Sequence, residues 1–249
     1  MPRLLVINPN TSAQVSTSID ILVRDVTASA AEVRTVTADF GFSYISTRVA
    51  VSIAAHAVLD AAARAIAESG MPDAILLACF GDPGREALAE MTGLPVIGFA
   101  EAGLLAAADM PGTSLIATNG AVWCEMLAEL VLKLGIQEKV AAIRSIETVA
   151  ESPRAIAEFL DGEAALLGAA HVVLGGAGLI PWLPEITQLC RVPILDPHRE
   201  AIAKAMRLSD LSRPITLKTT GSANTFGLSP SLTAMLGGGT DSGHRHAAC

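Results

Sequence analysis

The chain has 249 residues, enough for one large α/β domain or two small lobes with a proper core. Apolar residues make up 51% and charged residues 17%, which excludes a disordered chain, and a formal charge of −8 offers no basic footprint for nucleic acid. Mean hydropathy is +0.48, yet the most apolar window, residues 49–67, contains His56, Asp60 and Arg64. It reads as a buried, Ala-rich helix rather than a span, so no membrane partner is expected.

In chain order, strands are expected over residues 3–8, 32–38, 74–79, 95–99, 114–118, 140–146, 171–175 and 192–195. The segments between them place Ala, Leu and Ile at helical spacing. The N-terminal apolar run, "RLLVIN", is too short for a signal peptide and no small-residue cleavage site follows, so a cytoplasmic protein is expected. Asn10 or Thr11 is positioned to cap the first helix. Ser152 with Pro153 opens another, and Asp196 with Pro197 opens one more. Continuous apolar strands alternating with helices predict parallel sheets covered on both faces.

An internal repeat runs through the chain. "LLVINPNTS" resembles "SLIATNGAV", "AILLACFGDPG" resembles "HVVLGGAGLIP", and "LPVIGFAEA" resembles "VPILDPHREA". The repeat predicts an α/β fold of two similar Rossmann-like lobes related by a pseudo-twofold axis. Lobe 1 is expected to span residues 1–97 plus about 206–236, and lobe 2 residues 98–205, with 237–249 as a flexible tail. Ligands of parallel sheets sit outside the carboxyl ends of the strands. Two such lobes facing one another make one cleft, with Cys79 and Gly176 on opposite walls.

Four cysteines occur, at 79, 124, 190 and 249. They form neither CxxC nor Cys/His ligand spacings, so no metal site and no disulfide framework is expected. His244 and His246 lie in the Gly-rich tail and are read as flexible rather than metal-binding. Cys124 and Cys190 read as structural, and Cys249 as incidental. Cys79 ends a strand and precedes Asp82-Pro83, a helix-start signature. Helix N-termini lower a thiol pKa, which would activate Cys79; the alternative is a buried, inert cysteine.

Polar groups gather at the other strand ends. Asn8, Asn10 and Thr11 offer amides and a hydroxyl. Thr118 and Asn119 repeat that position in the second lobe. The N–H groups near Phe80–Gly81 and Gly176–Ala177–Gly178 are candidates for holding an anionic oxygen. Asp82 and Asp196 read as helix caps. His198 reads as a surface side chain near the cleft edge and as the spare acid/base.

At "INPNTS", "ACFGDPG", "PVIGFAEA", "GGAGL" and "VPILDPHREA" the chain resembles the Asp/Glu/hydantoin racemase superfamily, especially its hydantoin/allantoin racemase branch. These motifs span most of the chain in the expected order. The resemblance implies two similar α/β lobes, no cofactor, and a site between the lobes. It also implies two cysteines, one per lobe, acting as acid and base on opposite faces of a Cα–H. Cys79 matches the first, and Gly176 stands where the second is expected.

Glycine can neither remove nor return a proton, so alternatives stay open. One is a racemase or epimerase of a hydantoin- or amino-acid-like compound, with another group or a water replacing the thiol. A second is an arylmalonate-type decarboxylase with one cysteine as proton donor. A third is a maleate-type cis-trans isomerase with Cys79 as nucleophile. The non-enzyme alternative is a small-acid binding protein. A small carboxylate or hydantoin ligand and a homo-oligomer are expected.

Overall fold

The computed structural model describes residues 1–209 and 225–237. All eight apolar runs become strands, some of them shorter than their apolar stretch. β1 (Arg3–Asn8), β2 (Glu32–Thr37), β3 (Ala74–Leu77) and β4 (Val96–Gly98) form one sheet. β5 (Ser114–Thr118), β6 (Val140–Ser145), β7 (His171–Leu174) and β8 (Ile194–Leu195) form the other. Their orders are β2-β1-β3-β4 and β6-β5-β7-β8, all parallel. The same order recurs with the sequence repeat, so each strand of one lobe has a counterpart in the other. Ile7 pairs with Leu77 at the end of β3, and Ala117 with Leu174 at the end of β7. Cys79 and Gly176 each lie two residues past these ends.

The strands are buried on both faces, and alternation divides their side chains between cores. Leu5, Ile7, Ile75 and Leu77 face an outer core of lobe 1. Leu115, Ala117, Val172 and Leu174 face an outer core of lobe 2. Leu4, Val6 and Leu76 meet Ile116 and Val173 in a third core that both lobes share. Burying a Leu, Ile or Val side chain contributes roughly 1.5–3 kcal/mol each, so the shared core fixes the two lobes against one another.

The helices are α1 (Ala13–Thr27), α2 (Arg48–Ser69), α3 (Arg85–Thr92), α4 (Phe99–Ala108), α5 (Ala121–Leu134), α6 (Pro153–Leu167), α7 (Leu183–Leu189), α8 (Pro197–Ser209) and α9 (Pro230–Met235). Ser152 caps α6 with Pro153 in its first turn, as expected. The cap of α1 is Ser12, not Asn10 or Thr11. Ser12 Oγ accepts from Val15 N–H, while Asn10 Oδ1 accepts from Ser12 N–H one turn earlier. The apolar window at 49–67 lies within α2, which is long and apolar enough to cross a membrane by length and composition. Its most apolar window is 50% buried inside the protein, so α2 is a core helix with one solvent face, where Val49 is exposed.

The lobe boundaries expected at 97/98 and 205/206 fall inside β4 and α8. α8 follows the last strand of lobe 2 but packs on β3, β4, α1 and α4, so it serves the lobe 1 side. α9 packs against α2, consistent with a return of the chain to lobe 1. Most of the expected tail, and residues 210–224 of the expected return, lie outside the described residues.

Candidate active site

The carboxyl ends of β1, β3, β5 and β7 converge on one cavity of about 240 Å³. Cys79 lines it from lobe 1 and Gly176 from lobe 2, together with Asn10, Phe80, Thr118, Asn119, Ala177 and Gly178. The switch points of the two sheets therefore form its walls. Four residues that sequence reasoning did not single out complete the polar and aromatic lining: Ser43, Tyr44, Trp123 and Trp182. The one signal for Tyr44 is its place as the sole tyrosine in the aromatic stretch "FGFSYIS".

The two lobes interlock through glycines at this level. A Cβ on Gly175 would lie 2.2 Å from Phe80 Cδ1, and one on Gly81 would lie 2.1 Å from Trp123 Cζ3. The aromatic ring of each lobe thus occupies space that only a glycine of the other leaves free. Trp123 also donates its Nε1–H to the Ile45 carbonyl at 2.7 Å.

Cys79 sits in a tight turn, its carbonyl accepting from Gly81 N–H at 3.0 Å and Asp82 N–H at 3.3 Å. The helix after it, α3, begins only at Arg85, with Gly84 as its cap. Cys79 is therefore not at a helix N-terminus, and the expected lowering of its thiol pKa is reversed. Burial pushes the thiol up, and the nearby Asp82 charge pushes it further. The side chain still keeps some surface in the cavity. It is a thiol that holds its proton.

Asp82 is a helix cap, but for a helix other than its own. Its Oδ1 accepts from Ala100 N–H at 3.0 Å and its Oδ2 from Glu101 N–H at 2.7 Å, closing the start of α4. Asp82 holds a left-handed φ of +51°, which Asp tolerates better than most residues. Gly98 leaves the room: a Cβ there would lie 2.1 Å from Asp82 Cγ. Burial raises this carboxyl to about 7, against the pull of the two N–H bonds and of Arg85.

Three expected site residues, Asn8, Gly81 and His198, lie elsewhere. Asn8 is fully buried, and its Nδ2 donates to Asn10 Oδ1, the Ser12 carbonyl and Ser16 Oγ. It shapes the turn and presents Asn10, whose Oδ1 also accepts from Ser12 N–H. That pattern leaves the Asn10 Nδ2 donor without a partner among the described residues. Gly81 lies under Trp123 rather than on the cavity wall, and its N–H is spent on Cys79. At the second-lobe wall, Ala177 and Gly178 begin a short 3-10 turn over Ala177–Leu179, where first-turn N–H groups lack partners within the helix.

His198 is neither on the surface nor in the cavity. It is 0% exposed, because α8 packs it against lobe 1, edge-on to Phe99 with ring centroids 4.8 Å apart. Its Nδ1 lies 2.7 Å from Asp196 Oδ1, which also accepts from His198 N–H and caps α8. Burial acts to raise the Asp196 carboxyl, but His198 and two backbone N–H groups hold it below the ordinary range. Cys190, at the end of α7, reaches the Ala157 carbonyl and is pushed up to about 11 by burial, consistent with a structural role. Among the described residues no cluster of His, Cys, Asp and Glu could hold a metal ion.

Among the described residues, only two side chains that line the cavity can titrate in water, Cys79 and Tyr44. No Lys, Arg, His, Asp or Glu is among the described lining residues. The arrangement suits proton transfer at a neutral or weakly charged ligand. Among the described residues it offers no fixed cation for a carboxylate.

The family model described as Asp/Glu/Hydantoin racemase matches residues 4–205. The hydantoin racemase of Paenarthrobacter aurescens is 30% identical over 214 residues, covering 83% of this chain and 90% of that protein. The solved allantoin racemase of Klebsiella pneumoniae superposes with a TM-score of 0.79 at 27% identity, over 93% of this chain and 99% of that one. The allantoin racemase of Pseudomonas fluorescens superposes with a TM-score of 0.78 at 24% identity, over 90% and 99%.

Proposed function

The chain belongs to the Asp/Glu/Hydantoin racemase family and is a racemase-type isomerase; we propose that it inverts the stereocentre of a hydantoin-type ring, cofactor-free, through Cys79. One observation carries this reading: among the described residues, Cys79 shares its cavity with neutral polar groups and no charged side chain. A hydantoin is a neutral ring with N–H donors and two carbonyls, so entering this cavity strands no charge. A substituted malonate or maleate would bring two negative charges into a site with no cation among the described residues, at a desolvation cost of several kcal/mol per ion. A zwitterionic amino acid meets the same difficulty.

The mechanism follows from the carbon acid. When the ring C–H loses its proton, charge moves to the adjacent carbonyl oxygen. The Asn10 amide N–H and the N–H groups of Ala177 and Gly178 are the donors that could meet that oxygen. Cys79 takes or returns the proton on one face. Its raised pKa suits the step in which it returns a proton as a general acid, while the step in which it takes one needs the thiolate.

The test is a panel of enantiopure 5-alkylhydantoins, free amino acids and substituted malonates in D2O. We expect deuterium at the stereocentre of the hydantoins and loss of optical rotation, with the amino acids untouched and no CO2 from the malonates. Turnover of a malonate with inert hydantoins would replace this reading with the decarboxylase.

A further inference from the structure

We infer that Tyr44 is the second proton-transfer group of the racemisation, serving the face of the ring opposite Cys79. The inference rests on the proposed role of Cys79. Racemisation demands that a proton leave one face and that another arrive on the other. The position that repeats Cys79 in lobe 2 is Gly176, which has no side chain. Some other group must face the substrate from that wall, or water must.

Tyr44 comes from lobe 1 but delivers its hydroxyl to lobe 2. It lies in the connection between β2 and α2, and its hydroxyl donates to the Asn119 carbonyl at 3.2 Å. Asn119 directly follows β5, the lobe 2 counterpart of β1. The phenol is thus tethered to the wall across from the turn that carries Cys79, and both side chains line the same cavity. The two groups also sense one another. Burial of the hydroxyl raises the Tyr44 pKa first, and a charge on Cys79 raises it further. Ser43 and Thr118 hydroxyls line the cavity too, but an aliphatic hydroxyl is a far weaker acid than a phenol with an ordinary pKa of about 10.

The step balances as follows. In one direction the resting Cys79 thiol first gives its proton to water; the ring C–H bond then breaks, its proton goes to the Cys79 thiolate, and the electron pair moves onto the ring carbonyl. The Tyr44 O–H bond then breaks as its proton forms the new C–H bond on the other face, leaving a phenolate. Tyr44 is 53% exposed, so the phenolate recovers a proton from water, and Cys79 is again the resting thiol. In the reverse direction the roles exchange. Nothing is oxidised or reduced.

The experiment is Tyr44→Phe acting on one enantiomer of a 5-alkylhydantoin in D2O, with isotope and configuration followed together. Racemisation should fall by about 10²–10⁴-fold, the usual contribution of a general acid–base group. Deuterium should still enter the unreacted enantiomer with retention, because Cys79 continues to exchange its own face. A Tyr44→Phe protein that racemises at the wild-type rate overturns the inference. So does loss of retained exchange together with racemisation in a variant whose thermal unfolding is unchanged. A wild type inert to every hydantoin overturns the substrate reading and this inference with it, and that result appears before any variant is made.

Discussion

The Phe80 ring of lobe 1 lies so close to the Gly175 backbone of lobe 2 that a Cβ on Gly175 would sit 2.2 Å from Phe80 Cδ1. These residues are the immediate neighbours of Cys79 and Gly176, so the contact sets the spacing of the two cavity walls. Phe80 is 3% exposed and belongs to the shared core.

Gly175→Ala should therefore overpack the joint between lobes. Overpacking a close contact costs about 1–3 kcal/mol. The unfolding free energy should fall by that amount and the denaturant midpoint with it, and hydantoin racemisation should weaken because the walls move apart. An unchanged midpoint would mean that Phe80 shifts freely and does not set the spacing.

Asp82 gives a pH dependence with a definite sign. Its folded pKa, about 7, lies above the unfolded value near 3.9. The native state therefore holds this proton more tightly than the unfolded chain. Its favourable contribution is fully present below about pH 4 and is lost as pH rises toward 7. Asp82→Asn should be less stable than wild type at pH 4, having lost one of two N–H contacts, and the gap should shrink or reverse by pH 7.5. Arg85, Glu101 and Cys79 face this carboxyl and are present in both proteins. A gap that widens with pH would mean that the two N–H bonds of α4 outweigh burial.

Gly176→Cys tests whether the second-lobe wall accepts a thiol. A Cβ there would stand 3.5 Å from Leu179 Cδ1, an ordinary contact, but the backbone holds φ at +144°. Such a conformation costs a side-chain-bearing residue about 1–3 kcal/mol. The variant should unfold at lower denaturant than wild type. If it folds, it should restore opposite-face exchange to a protein that also carries Tyr44→Phe. Undiminished stability would mean that this turn relaxes to a common conformation.

What the sequence made legible was whatever a short stretch decides by itself. The eight strands follow from apolar runs, and the paired lobes follow from the repeat that aligns β1 with β5 and β3 with β7. Cys79, Thr118, Gly176 and the turn after it line the cavity because each lies at the end of such a run. The rest depended on contacts between distant segments. Asp82 looks like the cap of the next helix, yet it closes α4, 18 residues on. Asn8 and Asn10 carry the same amide, and only the hydrogen bonds of their turn decide which faces the cavity. His198 was expected near a cleft edge, but α8 crosses back to lobe 1 and buries it on Phe99. Tyr44 sits in a connection with no periodicity to place it. The lowered thiol pKa failed for a local reason: five residues separate Cys79 from α3, and Asp82 lies among them.

The central claim is that the Cys79 thiol exchanges the substrate proton. The most direct measurement is deuterium incorporation at the stereocentre of an enantiopure 5-alkylhydantoin in D2O, comparing wild type with Cys79→Ser. The hydroxyl keeps the shape of the side chain but is a much weaker acid. The account predicts that exchange and racemisation both fall by at least about 10²-fold, with thermal unfolding unchanged. A folded Cys79→Ser protein that exchanges deuterium at the wild-type rate would contradict it.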